Sequence, residues 1–158
     1  MYAYIMTKNM PAVNEELARR FNSMGLTPIP LLGVFDVIIE VNADDEKQLY
    51  YDYNKPLTLI EGIKTSTYIA AETWEKEGGD TVLAYIMIEV KPLTLLNEVY
   101  NALKNKYGIK KISVVFGDTD IIATIASNDI KNLKNILQSI WDIDGVYRTS
   151  TLLNYNRI

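Results

Sequence analysis

Two hydrophobic periods alternate along the second half of the chain. From Leu83 to Val90 the side chains alternate, with Ala84, Ile86, Ile88 and Val90 on one face and Tyr85, Met87 and Glu89 on the other, the period of an extended strand. Beyond Pro92 the residues Leu95, Val99, Leu103 and Tyr107 fall at every fourth position, flanked by Leu96 and Tyr100, which predicts an amphipathic helix stopped by Gly108. Ile112, Val114 and Phe116 alternate again, Gly117-Asp118 supplies a turn, and Ile121 to Ile125 is β-rich, so a hairpin is expected. Helical spacing returns at Ile130, Leu133, Ile136, Leu137, Ile140 and Trp141, and a last strand runs from Val146 towards Leu153. The order is β-α-β-β-α-β, a ferredoxin-like unit with a four-stranded antiparallel sheet and both helices on one face.

The first half follows the same order, and its first helix carries Val13, Leu17, Phe21 and Met24. Its second helix departs from the pattern. Pro56 falls inside the helical stretch from Asp44 to Glu61, where it removes a backbone hydrogen bond and clashes with the preceding turn, so a kink or break is expected near Lys55.

Identical and equivalent residues recur in one order. Ala3-Tyr4-Ile5-Met6 returns as Ala84-Tyr85-Ile86-Met87, and Pro11 returns as Pro92, each 81 residues later. Gly33-Val34-Phe35-Asp36 returns as Gly117-Asp118-Thr119-Asp120, and Thr65-Ser66-Thr67 as Thr149-Ser150-Thr151, each 84 residues later. The chain therefore reads as a tandem repeat, residues 1–77 and 80–158, with the boundary near Gly78 in the polar connector from Glu72 to Asp80. Each sheet leaves one face uncovered by helices, and Tyr4/Met6 and Tyr85/Met87 indicate that this face is not fully polar. The expectation is an α+β fold whose two units bring their sheets together as a pseudo-dimeric α+β barrel.

Composition narrows the chemistry. Cysteine and histidine are both absent from the 158 residues, which removes disulfides, thiolate chemistry, the commonest metal ligands and the usual general base near neutral pH. No metal or cofactor is expected. A net charge of −4 disfavours phosphate backbone as a partner, so no direct DNA binding is expected. The basic cluster Lys104, Lys106, Lys110 and Lys111 reads as a solvated helix end and strand start. No apolar run reaches the roughly 18 residues of a membrane span, and the N-terminus does not resemble a signal peptide, so a cytoplasmic protein is expected.

The succession Gly-x-x-Asp before an apolar strand, an Ala-Ser-Asn-Asp helix start and a closing Gly-Val-x-x-Thr-x-Thr resembles the Lrp/AsnC effector-binding module, also called the RAM domain. The second half carries it as Gly117 to Asp120, Ala126 to Asp129 and Gly145 to Thr151. The first half carries it as Gly33 to Asp36, Asn42 to Asp45 and Gly62 to Thr67, one residue shorter before the first threonine. The resemblance implies a non-enzymatic module for transcriptional or metabolic regulation, which binds a small effector, in that family an amino acid, and assembles into homo-oligomers. It also implies possible co-assembly with full-length regulators of that type. The repeat begins at Tyr2, so the family's DNA-binding half is not expected.

The residues nominated for a ligand are Gly33, Phe35, Asp36, Thr65 and Thr67 in the first unit and Gly117, Thr119, Asp120, Thr149 and Thr151 in the second. Each has two readings. The glycines either only form a turn of positive φ or also expose backbone N–H groups to a carboxylate. The aspartates either cap the turn or meet a ligand ammonium. The threonines either pack as strand residues or offer hydroxyls to a ligand. Thr119 stands where the first unit has Phe35, so the two sites are not expected to be equivalent. A cofactor-free enzyme of the dimeric α+β barrel type and an adaptor without a ligand are the alternative functions.

Overall fold

The computed structural model describes residues 1–79 and 81–158; Asp80, the last residue of the expected connector and the first of the expected second unit, lies outside them. Among the described residues eight strands form: β1 Tyr2–Asn9, β2 Ile29–Leu32, β3 Val37–Asn42, β4 Ile63–Glu75, β5 Val82–Val90, β6 Ile109–Val115, β7 Ile121–Ala126 and β8 Val146–Asn154. The helices are α1 Val13–Asn22, the segment α2 Glu46–Gln48 to α3 Lys55–Thr58, α4 Leu96–Leu103 and α5 Leu133–Trp141. Short 3₁₀ turns, Leu93–Leu95 and Ile130–Asn132, lead into α4 and α5. The order β-α-β-β-α-β thus occurs twice.

The strands close into one antiparallel barrel in the order β1-β3-β2-β8-β5-β7-β6-β4. Each half supplies four adjacent strands, and closure comes from two seams. At one seam β4 runs beside β6 from Ala70↔Val115 to Glu75↔Lys111. At the other β2 meets β8 only at Leu31↔Asn154 and Leu32↔Leu153. Closure covers most of the sheet edge that each half would expose alone, and the short β2–β8 seam leaves the first part of β8 without a partner strand on that side.

Strand alternation divides the apolar residues among three cores. Ala3, Ile5, Val37 and Ile39 face outward and pack with Val13, Leu17 and Phe21 of α1 and with Leu57 of α3. Ala84, Ile86, Ile88 and Ile121 pack likewise against Val99 and Leu103 of α4 and Ile136 and Ile140 of α5. Tyr4, Met6, Ile38, Tyr85, Met87, Ile122 and Leu152 face inward and fill the barrel. A barrel of eight strands is just wide enough for its own side chains, so the interior is a packed core. Burying Leu17 and Phe21 completely contributes about 1.5–3 kcal/mol each.

Pro56 is accommodated by a change of helical register. Leu49–Asn54 winds as a π-helix in which the N–H of Lys55 bonds to the carbonyl of Tyr50, and α-helical winding resumes with Pro56 in its first turn, where no N–H is needed. Several apolar residues at the ends of the expected periods lie outside the cores. Met24 and Tyr107 follow the last turns of α1 and α4 and are 44% and 72% exposed, and Phe116, one residue past β6, is 74% exposed. Once the helix or strand ends, periodicity no longer dictates where a side chain points.

Candidate functional site

All neighbouring strands are antiparallel, so β1 and β5, four steps apart around the ring, run in the same direction. Their C-terminal ends, both Gly-x-x-Asp turns and the beginnings of β4 and β8 therefore meet at one end of the barrel, here called the mouth. The opposite end, where β1 and β5 begin, is the floor.

The two turns are built alike. The carboxylate of Asp36 accepts the backbone N–H of Asn9 at 2.8 Å, and that of Asp120 accepts the N–H of Val90 at 2.8 Å. The N–H of Asp36 donates to the Thr7 carbonyl at 2.7 Å, and that of Asp120 to the Ile88 carbonyl at 2.9 Å. The backbone carbonyls of Asp36 and Asp120 close the hairpins by accepting the N–H groups of Leu31 and Val115, at 2.8 and 3.0 Å. Each aspartate thus ties the end of its unit's first strand to the hairpin through one carboxylate oxygen, which is the capping role among its two readings.

Gly33 has φ of +149° and Gly117 φ of +133°, in the region L-residues avoid. Gly33 also lies against β8, where a Cβ would come within 2.7 Å of Leu152 Cδ2 and 3.0 Å of the Thr151 carbonyl oxygen. At Gly117 the nearest atom to a Cβ would be Tyr68 Cε1, at 3.6 Å.

The residues between glycine and aspartate differ. Phe35 is buried in the barrel core, with the Lys8 ammonium 5.4 Å from its ring centroid. Thr119 is buried too, but its hydroxyl donates to the Ile88 carbonyl at 3.1 Å. Asp118 accepts the Tyr68 hydroxyl at 2.8 Å, whereas Val34 in the other turn is exposed.

A cavity of about 340 Å³ opens at the mouth. The first half lines it with Lys8, Val34 and Phe35, and the second with Met87, Glu89, Asp118, Thr119, Arg148, Thr149 and Ser150. Two cations and two carboxylates line one space, whose apolar base is Phe35 and Met87. Glu89 and Arg148 are themselves paired at 3.7 Å.

The nominated threonines stand on the outer face of their strands, as their strand-packing reading has it. Thr65 pairs with Thr7, Thr67 with Ile5, Thr149 with Ile88 and Thr151 with Ile86, on the face turned to the helices. The Thr67 hydroxyl donates to Asn54 at 2.8 Å, and that of Thr149 accepts the Trp141 indole N–H at 3.0 Å. Their hydroxyls are not brought into the mouth. Of the nominated residues the cavity gathers Phe35, Thr119 and Thr149, while Lys8, Val34, Met87, Glu89, Asp118, Arg148 and Ser150 line it from outside that set. Strand alternation gave a usable signal, since Met87 and Glu89 share the inward face with Tyr85.

The floor holds a polar network. Glu40 accepts the hydroxyls of Tyr2 and Tyr85 and pairs with Lys111 at 2.9 Å, and Lys111 also donates to Tyr2 at 2.6 Å. Tyr4 shares a 2.7 Å hydrogen bond with Ser113, which reaches Thr73 at 2.9 Å. Lys111 is thus partly enclosed in the barrel, not on the solvated patch expected from its sequence neighbours. Burial, reinforced by the Glu40 charge, holds the Tyr2 and Tyr85 hydroxyls well above the usual phenol range, so both stay protonated as donors. No group of three or more metal-ligating side chains occurs, and no helix is long and apolar enough to cross a membrane, among the described residues.

Residues 83–158 match the family model of the Lrp/AsnC ligand binding domain. No curated protein matches the chain. Among solved structures, a major regulator of staphylococcal pathogenesis is similar over 98% of this chain and 99% of its own, at 13% identity and a TM-score of 0.53. A Thermus thermophilus protein is similar over 48% of this chain and 94% of its own, at 24% identity and a TM-score of 0.44. A Listeria monocytogenes ferredoxin-fold protein related to antibiotic biosynthesis monooxygenases is similar over 96% and 94%, at 10% identity and a TM-score of 0.48. The staphylococcal likeness is one of fold.

Proposed function

We propose that this chain, whose residues 83–158 match the Lrp/AsnC ligand binding domain, is a non-enzymatic regulatory module that binds a small effector at the barrel mouth. We read residues 1–77 as a second copy of that domain, fused so that one chain forms a pseudo-dimer. The repeated element order and the two equivalent aspartate locks support this reading.

The observation that carries the effector site is the mouth cavity, which draws on both halves and sets Lys8 and Arg148 beside Glu89 and Asp118. Cations of this kind hold a carboxylate and carboxylates hold an ammonium, so the arrangement suits a zwitterion of the amino-acid class. At about 340 Å³ the cavity is at the small end of the range for ligand pockets, which favours a metabolite over a larger cofactor. The chain has no thiol or imidazole to act as nucleophile or base, so binding without chemistry is the simpler assignment. Leu32, Val34, Phe116 and Tyr147 are exposed, and we assign assembly with further copies, or with full-length regulators carrying the same module, to apolar surface of this kind.

A thermal-shift screen against the amino acids tests the proposal. A ligand at 100 times its dissociation constant should stabilise the protein by about 2.7 kcal/mol. The response should shrink in Lys8→Ala and in Asp118→Ala, with calorimetry giving one ligand per chain. A screen in which no amino acid shifts the transition, or in which these variants respond like the parent protein, overturns the assignment.

A further inference from the structure

The wall of the mouth cavity contains an unpaired strand edge. Beyond Leu32↔Leu153 the first half no longer pairs with β8, because the chain turns away at Gly33, next to the Thr151 carbonyl. Towards the mouth, the lane beside β8 that a longer β2 would occupy therefore has no strand in it.

The direction of the main-chain groups in that lane follows from the register. The Ile88 carbonyl accepts the N–H of Asp120, so the N–H and C=O of Ile88 point to the β7 side of β5. Ile88 lies opposite Thr149 across the β5–β8 ladder. In an antiparallel sheet such a pair exchanges no hydrogen bonds, and its two residues point their main-chain groups away from each other. The N–H and C=O of Thr149 thus point into the empty lane. This is how Thr149 lines the cavity although its side chain faces Trp141 on the outer face.

Side chains alternate with a period of two, which decides what kind of ligand fits both the lane and the cavity. A guest residue opposite Thr149 would direct its own side chain outward. The guest residue opposite Ser150, whose partner in β5 is Met87 of the barrel core, directs its side chain into the mouth over Met87 and Phe35. One free amino acid cannot do both. Two consecutive residues can, the first filling the cavity and the second exchanging N–H···O bonds with Thr149.

We infer that the mouth takes the N-terminal end of an extended peptide, which adds beside β8 as a short guest strand continuing the direction of β2. The first side chain enters the cavity, and its ammonium lies in the space faced by Glu89 and Asp118. The second residue donates its N–H to the Thr149 carbonyl and accepts the Thr149 N–H, and the rest of the peptide leaves over the rim. Main-chain bonds supply the recognition common to all such peptides, and the cavity selects the first residue. The inference rests on the mouth being the ligand site and narrows the ligand from a free amino acid to one that heads a peptide chain.

Calorimetry on the full chain with leucyl-alanyl-alanine, with free L-leucine, and with the tripeptide N-methylated at its second residue tests this, together with hydrogen exchange at the Thr149 amide. The tripeptide should bind about ten-fold more tightly than leucine, N-methylation should remove about ten-fold, and the Thr149 amide should become protected. Leucine binding as tightly as the tripeptide, with the Thr149 amide still exchanging freely, overturns the guest strand but leaves the mouth as an amino-acid site. Tripeptide binding that leaves Thr149 unprotected or is indifferent to N-methylation also overturns it. Failure of both leucine and tripeptide to bind refutes the guest strand outright, and the amino-acid screen then decides separately whether the mouth binds any effector.

Discussion

The turn at Gly33 and the turn at Gly117 share a framework and differ in their contents. Each has a positive-φ glycine, an aspartate tied to the end of the unit's first strand, and a closing hydrogen bond across the hairpin. Between glycine and aspartate one turn puts Val34 and Phe35, the other Asp118 and Thr119. The framework has to satisfy backbone groups that every such hairpin exposes, which leaves little freedom. The intervening residues line the mouth cavity, to which each turn contributes a different surface. The first brings apolar surface, and the second brings a carboxylate and a hydroxyl.

That comparison can be broken or sharpened by substitution, and the largest effect should come from the residue that fills the core. Phe35→Ala should cost about 3–5 kcal/mol in chemical denaturation, whereas Thr119→Ala should cost about 1 kcal/mol, the loss of one neutral hydrogen bond. Equal losses would mean that the two positions do the same structural work. Next come the glycines. Gly33→Ala meets both unfavourable φ and atoms of β8 and should cost about 2–4 kcal/mol, while Gly117→Ala meets φ alone and should cost about 1–2 kcal/mol. Thermal melts that rank Gly117→Ala as the worse would show that β8 yields easily at Gly33.

The aspartates probe the shared framework. Asp36→Ala and Asp120→Ala should each cost about 1–3 kcal/mol, by similar amounts, because each leaves one strand-end N–H without its acceptor. Urea titrations that separate them widely would end the idea of equivalent locks. The smallest effect is expected at Tyr68→Phe, which loses the hydrogen bond to the exposed Asp118 and should cost about 1 kcal/mol or less. A larger loss would identify that contact as a second lock, present only at the turn of the second half.

Much of the architecture was legible because periodicity reports what each element buries. The alternation at Leu83 to Val90 placed Tyr85 and Met87 opposite Ile86 and Ile88, and the barrel interior and the helix-covered face divide along that line. Pro56 marked where the helix of the first half changes winding. The candidate site was much less legible. Asp36, Asp120 and the threonines recur in both halves, yet a recurring residue can as easily belong to the shared framework as to a site. The aspartates bond to strand ends, and the Thr67 and Thr149 hydroxyls to helix-side partners.

By itself the sequence determined the element order and the two faces of each strand, because both depend on spacings within a few residues. Only the tertiary structure decided which residues share the mouth. Lys8 and Arg148, or Phe35 and Thr149, are far apart in the chain and meet because eight antiparallel strands close with two unequal seams. The empty lane beside Thr149 is likewise invisible in the sequence, since it is created by where β2 stops relative to a strand from the other half. Ring closure sets that offset, and no local pattern encodes it.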